Sequence, residues 1–261
     1  MLKNVKNRMF THAIVRQPAL SMIKGITTAD LGIPDINLAQ QQYKDYVDAL
    51  RSCGLEIIQL ESDEEYPDSV FVEDTAVLTA DMAIITNPKP ESRKGEIREI
   101  ESLLRDIHPN LSKINSPGTI EGGDVLQVED RFYIGMSERT NASGADQFTE
   151  ILEENSYQGI KTPMENLLHL KTGVSYLGEN TIVLYGSLVD EPLFDSFNKI
   201  VIQKDEAYAA NCIRVNDYVL MPKGYPKAQS IIEKAGFLTI LLGMSEFRKL
   251  DGGLSCLSLR F

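Results

Sequence analysis

The chain has 261 residues, 43% of them hydrophobic and 25% charged, a balance that excludes disordered and fibrous classes and suits one large-cored domain over residues 1–261. Its 38 acidic and 26 basic residues leave a net charge of −12, which disfavours nucleic acid as a partner and mildly favours cationic ligands. The three cysteines, Cys53, Cys212 and Cys256, are an odd set without framework spacing, so structural disulfides are not expected and a reducing cytoplasm is the expected location.

From Met1 to Val15 the chain carries Lys3, Lys6 and Arg8, with no apolar run of signal-peptide length and no small-residue cleavage site. No stretch approaches the roughly 18 apolar residues of a membrane helix, so no membrane partner is expected. His12 opens a strand over Thr11–Val15. A helix is predicted from Asn37 to Cys53, stopped by Gly54, and a strand from Glu56 to Leu60. A third strand spans Met82–Ile85. Ile97, Ile100, Leu103, Leu104 and Ile107 give the segment from Glu91 to His108 helical periodicity. Further on come a helix over Ala142–Asn155, strands over Thr181–Leu184 and Tyr218–Met221, and a helix over Lys227–Ala235 stopped by Gly236. Cys53 at a helix end and Cys212 in a strand-like run read as packing residues. The class is α/β or α+β.

Five segments start with small or acidic residues and run into an apolar strand. They begin near Phe71, Thr119, Thr172, Ala209 and Asp251, at intervals of roughly 40–50 residues, which suits a unit of three strands and one helix. Blades set round an axis would bring these starts to a common centre, where Glu121, His169 and Cys256 could meet.

Metal and cofactor chemistry is not expected. His12, His108 and His169 are the only histidines and have no zinc-binding spacing; C-x-x-C and H-E-x-x-H are absent, as are dinucleotide and Walker loops. His12 and His108 read as structural. The chemistry falls to side chains. Cys256 follows Asp251-Gly252-Gly253, where glycine permits backbone conformations that a side chain would forbid, so its thiol is a candidate nucleophile, although a cysteine flanked by leucines and serines is more often a small buried hydrophobe. Thr119–Asp124 and Leu167–Gly173 place Glu121 and His169 beside glycine or in short apolar surroundings, where Glu121 also reads as a solvated turn carboxylate.

Pro67–Asp74, the Glu121 segment with Gly135–Asn141, Leu168–Lys171, Ala209–Cys212 and Ser245–Phe261 form an ordered set covering almost the whole chain. With them the chain resembles the dimethylarginine dimethylaminohydrolases, within the guanidine-modifying superfamily that includes arginine deiminases and amidinotransferases. The resemblance implies a five-bladed α/β propeller of strand-strand-helix-strand repeats with an active site at its central channel.

It also implies roles. Cys256 attacks the guanidinium carbon of a methylated arginine, and His169 protonates the departing amine and then deprotonates water. Glu121 orients His169 and favours its protonated form. A planar guanidinium needs carboxylates placed for paired hydrogen bonds, roles that fall to Asp74 and Glu73. Arg93 and Arg139 grip the substrate carboxylate, although either alone reads as a surface residue. Asp68 supports the pocket, and the backbone carbonyls of Ile26 and Leu250 receive the α-amino group. The chain lacks the helical insertion and the different ending around the cysteine typical of arginine deiminases, which favours dimethylarginine over arginine. A deiminase, a citrulline hydrolase and a non-catalytic arginine-binding protein are the alternatives, and exposed blade edges allow a homodimer.

Overall fold

The computed structural model describes residues 10–108 and 110–261; Lys3, Lys6 and Arg8 lie outside them. Short apolar strands pair into five separate three-stranded sheets. The first unit holds β1 (His12–Arg16), α1 (Ile36–Ser52) and β2 (Glu56–Leu60). The second holds β3 (Ala76–Leu78), β4 (Ala83–Ile85), α2 (Ile97–Ile107) and β5 (Leu111–Lys113). The third holds β6 (Val125–Val128), β7 (Arg131–Gly135), α3 (Ala142–Glu154) and β8 (Gln158–Thr162). The fourth holds α4 (Leu170–Gly173), β9 (Val174–Gly178), β10 (Thr181–Leu184) and β11 (Asn198–Val201). The fifth holds β12 (Ile213–Val215), β13 (Tyr218–Pro222), α5 (Pro226–Lys234) and β14 (Leu238–Leu242), followed by α6 (Ser245–Arg248) and β15 (Leu259–Arg260).

In each sheet the middle strand runs antiparallel to one neighbour and parallel to the other. The parallel pair requires a crossover, which α1, α2, α3 and α5 supply. The fourth unit differs: 3-10 turns over Gly186–Asp190 and Pro192–Phe194 replace the helix, and Gly186 at φ 68° with Pro192 interrupts helical continuity there. β15 pairs with β1, so the last strand of the chain completes the first sheet.

Each apolar core cluster joins one sheet to the next. Ile14 and Leu259 pack with Ala76, Ile85 and Leu104, and Ile84 packs with Ile134 and Phe148. Tyr133 meets Ile182, Val183 meets Val219, and Leu220 returns to Val15 and Tyr46. The ring is closed, a five-bladed α/β propeller. Among the described residues no helix is long and apolar enough to cross a membrane.

The helix expected from Glu91 is shorter. Glu91–Arg93 forms a 3-10 turn and α2 begins only at Ile97, because Arg93 and Glu96 bury their side chains in a charge network. α1 keeps nearly its expected limits: the Asp35 carboxylate accepts from the N–H groups of Asn37 and Leu38, and Gly54 at φ 91° turns the chain after it.

A helical turn precedes the first strand of every antiparallel pair. These turns are Val72–Thr75 before β3, Gly122–Asp124 before β6, α4 before β9, Lys204–Ala210 before β12 and Ser255–Leu257 before β15. Each touches the next around the axis, and the Asn211–Ser255 hydrogen bond closes the circuit. The five sequence segments read as repeats are these turns and their strands.

Candidate active site

Functional side chains sit on the central turns or immediately beside them. Glu121, fully buried, precedes the turn of the third unit, and His169 caps α4 in the fourth. Their side chains meet, His169 Nε2 lying 2.8 Å from Glu121 Oε2. Burial works against a charged imidazole, but the anions of Asp74, Glu121 and Asp124 outweigh it and raise His169 to about 9. Gly123 permits this approach: a Cβ there would lie 2.6 Å from His169 Nδ1 and 2.9 Å from Asp74 Oδ1.

Asp74 receives the Gly123 N–H at 2.9 Å and Arg93 Nη1 at 2.7 Å. Burial opposes its ionisation, yet the charges of His169 and Arg93 with these hydrogen bonds bring it down to about 2. Arg93 is itself enclosed by protein acceptors, donating to both Glu96 oxygens and to the Phe71 carbonyl as well as to Asp74. Arg139 is freer: its Nη1 reaches Glu121 Oε1 at 3.5 Å. Asp68 accepts from the Ile26 N–H at 3.0 and 3.2 Å, pinning the chain at the pocket edge, and burial raises its pKa.

The Cys256 thiol opens onto the same pocket, where it accepts the Gly253 N–H at 3.4 Å. Burial, followed by the anions of Glu73 and Asp74, pushes it up to about 12. The preceding glycines serve close packing and not an unusual backbone. The positive φ falls on Asp251 at 59°, while a Cβ on Gly252 would meet the Phe71 ring at 2.3 Å and one on Gly253 the Asn211 side chain at 2.5 Å.

Of the expected residues, Ile26, Asp68, Asp74, Arg93, Glu121, Arg139, His169, Leu250 and Cys256 line this pocket. Glu73 does not. Its carboxylate turns away from the pocket, where Lys171 Nζ lies at 2.6 Å and the Ser255 hydroxyl at 2.7 Å. Neighbours in a tight turn point to different sides, which explains the divergence of two adjacent acids. A wider surface groove beside α1, lined by Gln40, Tyr43, Lys44 and Arg51, lies away from these turns.

Residues 34–218 match the family model described as N,N dimethylarginine dimethylhydrolase, eukaryotic. The N(G),N(G)-dimethylarginine dimethylaminohydrolase of Pseudomonas aeruginosa is 47% identical, across 97% of this chain and 100% of the relative. The chain belongs to the dimethylarginine dimethylaminohydrolase family. The Streptomyces coelicolor member is 33% identical over 95% of this chain and 96% of its own length. A solved structure of the Pseudomonas aeruginosa protein, a cysteine-to-serine mutant complexed with citrulline, superposes with a TM-score of 0.96 at 47% identity, over 97% of this chain and 100% of that one.

Within this dimethylarginine dimethylaminohydrolase scaffold several buried polar groups escaped the sequence reading. Asp124 accepts from the Ser137 and Thr140 hydroxyls and from the Leu170 N–H, tying the Arg139 loop to the residue after His169. Lys171 and Asn211 lie inside motifs that carry the resemblance, and Ser255 adjoins Cys256. Their partners are 98, 44 and 182 residues away, so only the adjacency of Ser255 to Cys256 was a signal. Ligand atoms of Asp74, Glu121 and His169 fall within 4.8 Å of one another, the dimensions of a cation site. Arg93 and Arg139 already set positive charge against these carboxylates.

Proposed function

We propose that this protein hydrolyses Nω-methylated arginines to L-citrulline and dimethylamine or methylamine through a covalent thiouronium on Cys256, with residues 1–261 acting as one catalytic domain. The observation that carries the assignment of roles is the shared pocket of the Cys256 thiol, the His169–Glu121 pair and the Asp74 carboxylate.

Burial and the anions of Glu73 and Asp74 favour the neutral thiol. A guanidinium held by Asp74 brings a positive charge beside the sulfur and favours the thiolate. As the thiol proton passes to solvent, the sulfur bonds to the guanidinium carbon and a C–N π pair moves onto nitrogen. His169, protonated at neutral pH, gives its proton to the departing amine as the C–N bond breaks, and the resulting neutral imidazole is then the base for water. Water gives one proton to His169 and attacks the thiouronium carbon; the C–S bond breaks, the remaining hydroxyl proton passes to the sulfur, and citrulline leaves with the thiol and the imidazolium restored. Glu121 supports this cycle by holding the imidazolium. Arg139, the less enclosed arginine, leads in binding the substrate carboxylate with Arg93 behind it; Asp68 and the carbonyls of Ile26 and Leu250 bind the α-amino end. Pocket shape sets the preference between methylated and free guanidines, a choice worth about 1–3 kcal/mol per methyl-sized change.

The test is incubation with asymmetric dimethylarginine, monomethylarginine, arginine and citrulline, assaying citrulline, ornithine and released amine. Dimethylamine and citrulline are expected together and lost in Cys256→Ser. Ammonia from arginine, or ornithine from citrulline, with no dimethylamine would place the activity among the deiminases or citrulline hydrolases. Binding without turnover would mark an arginine-binding protein. The same reading carries a cytoplasmic location and a homodimer built on exposed outer strands, the latter measured by light scattering.

A further inference from the structure

Glu73 is a buried acid that the proposed reaction leaves without a task. It is 3% exposed, and both carboxylate oxygens are engaged: Oε1 by Lys171 Nζ at 2.6 Å, with Arg260 Nη2 at 3.9 Å, and Oε2 by the Ser255 hydroxyl at 2.7 Å. Ser255 is the residue before the nucleophile. Its N–H donates to Asn211 Oδ1 at 3.0 Å, and its oxygen accepts from Asn211 Nδ2, also at 3.0 Å. A hydroxyl has one proton and two lone pairs. The proton goes to Glu73 and one lone pair to Asn211, leaving the other for the Cys256 sulfur 4.0 Å away.

We infer that Glu73 and Lys171 are positioning residues of the reaction: an ion pair of a buried glutamate and a half-buried lysine, bridged by Ser255 to the nucleophile, that holds Cys256 and balances the charge around its sulfur without touching substrate. The inference rests on the function proposed above and adds residues to that site. The geometry argues against substrate binding, because Glu73 has no free oxygen and does not line the pocket. Packing alone is a poor account too, since a buried ion pair is on average no more stabilising than an apolar pair of the same volume. The two charges act on the thiol in opposite senses, Glu73 against the thiolate and Lys171 for it. Other charged or titratable groups near the sulfur are Asp74 from the turn before β3, Tyr208 from the turn before β12, and His169, Asp68, Arg93, Glu121, Arg139 and Asp251 around the pocket, with Arg260 beyond Glu73.

Opposite signs give a test that a structural role would not pass. The alkylation rate of Cys256 by iodoacetamide, measured at fixed mildly alkaline pH and located by peptide mass, follows the thiolate fraction. Glu73→Gln is expected to speed it about tenfold and Lys171→Met to slow it about tenfold, with Lys171→Arg near the wild type. Ser255→Ala is expected to lower kcat about tenfold or more with little change in KM. Shifts of the same sign in Glu73→Gln and Lys171→Met, or unchanged rates in both, overturn the inference. Should Glu73→Gln not fold, Lys171→Met with its Arg rescue decides alone, and an unslowed Lys171→Met overturns it. Alkylation needs no turnover, so failure here is separable from failure of the substrate assignment.

Discussion

The rim and the centre of this propeller are built on opposite principles. At the rim, α2 buries Ile97, Ile100 and Leu104 against strands, and α3 buries Ala145, Phe148 and Leu152, so removal of apolar surface from water holds these helices. At the centre Glu73, Asp74, Arg93, Glu96, Glu121, Asp124 and His169 are buried charged or titratable groups, each engaged by a named partner. Such burial is unfavourable for isolated ions and tolerable only for compensated ones. Net stability therefore comes mainly from the apolar clusters between the sheets, whereas the central charges are tolerated as compensated sets and become costly once a partner is removed.

This division can be broken. Arg93→Leu would leave Asp74 and Glu96 buried without their shared cation, and a loss of about 3–5 kcal/mol is expected in denaturant unfolding. A loss below about 1 kcal/mol would show that the central charges are not coupled as the geometry implies. Leu104→Ala removes a fully buried side chain at the rim and is expected to lower stability by about 3 kcal/mol while kcat and KM stay within about twofold at temperatures where the protein is folded. A rim substitution that altered KM would contradict the separation.

Smaller effects sharpen it. His169 is raised from 6.5 to about 9, so its proton stabilises the folded state fully below about pH 6.5, and that contribution is lost as pH rises through about 9. Amine departure assisted by the imidazolium should fall over the same alkaline range. Glu121→Gln removes one of the anions responsible and is expected to move the alkaline limb of kcat down by about one pH unit, or ~1.4 kcal/mol. An unmoved limb would assign it to another group. Asp35→Ala, which removes only the cap of α1, should lower stability by about 1 kcal/mol and leave the pH profile untouched.

Legibility in the sequence follows the same boundary. Glu56–Leu60 and Thr181–Leu184 form the expected strands and α1 nearly its expected helix, because local periodicity and capping determine them. Three-residue strands such as Leu111–Lys113 are too short to show a period, and their existence depends on a neighbouring sheet. The helix expected from Glu91 fails over its first turns because Arg93 is drawn to Asp74, a tertiary demand that outranks propensity. The pocket residues came from motif resemblance and lie together, yet the divergence of Glu73 from Asp74 was invisible. Adjacent acids look alike in a sequence, and only the fold brings Lys171 and Ser255 to one of them.

The pairing of β15 with β1 ties the position of the Cys256 thiol to completion of the ring. Ala13 faces Arg260 and Ile14 faces Leu259 across that seam, only a few residues beyond Cys256. The pocket carboxylates come earlier in the chain, so during synthesis they precede Cys256, which is anchored when distant strands join. A seam that opened would release the sulfur from the pocket while leaving four sheets paired, converting a catalyst into a binder without removing a single atom.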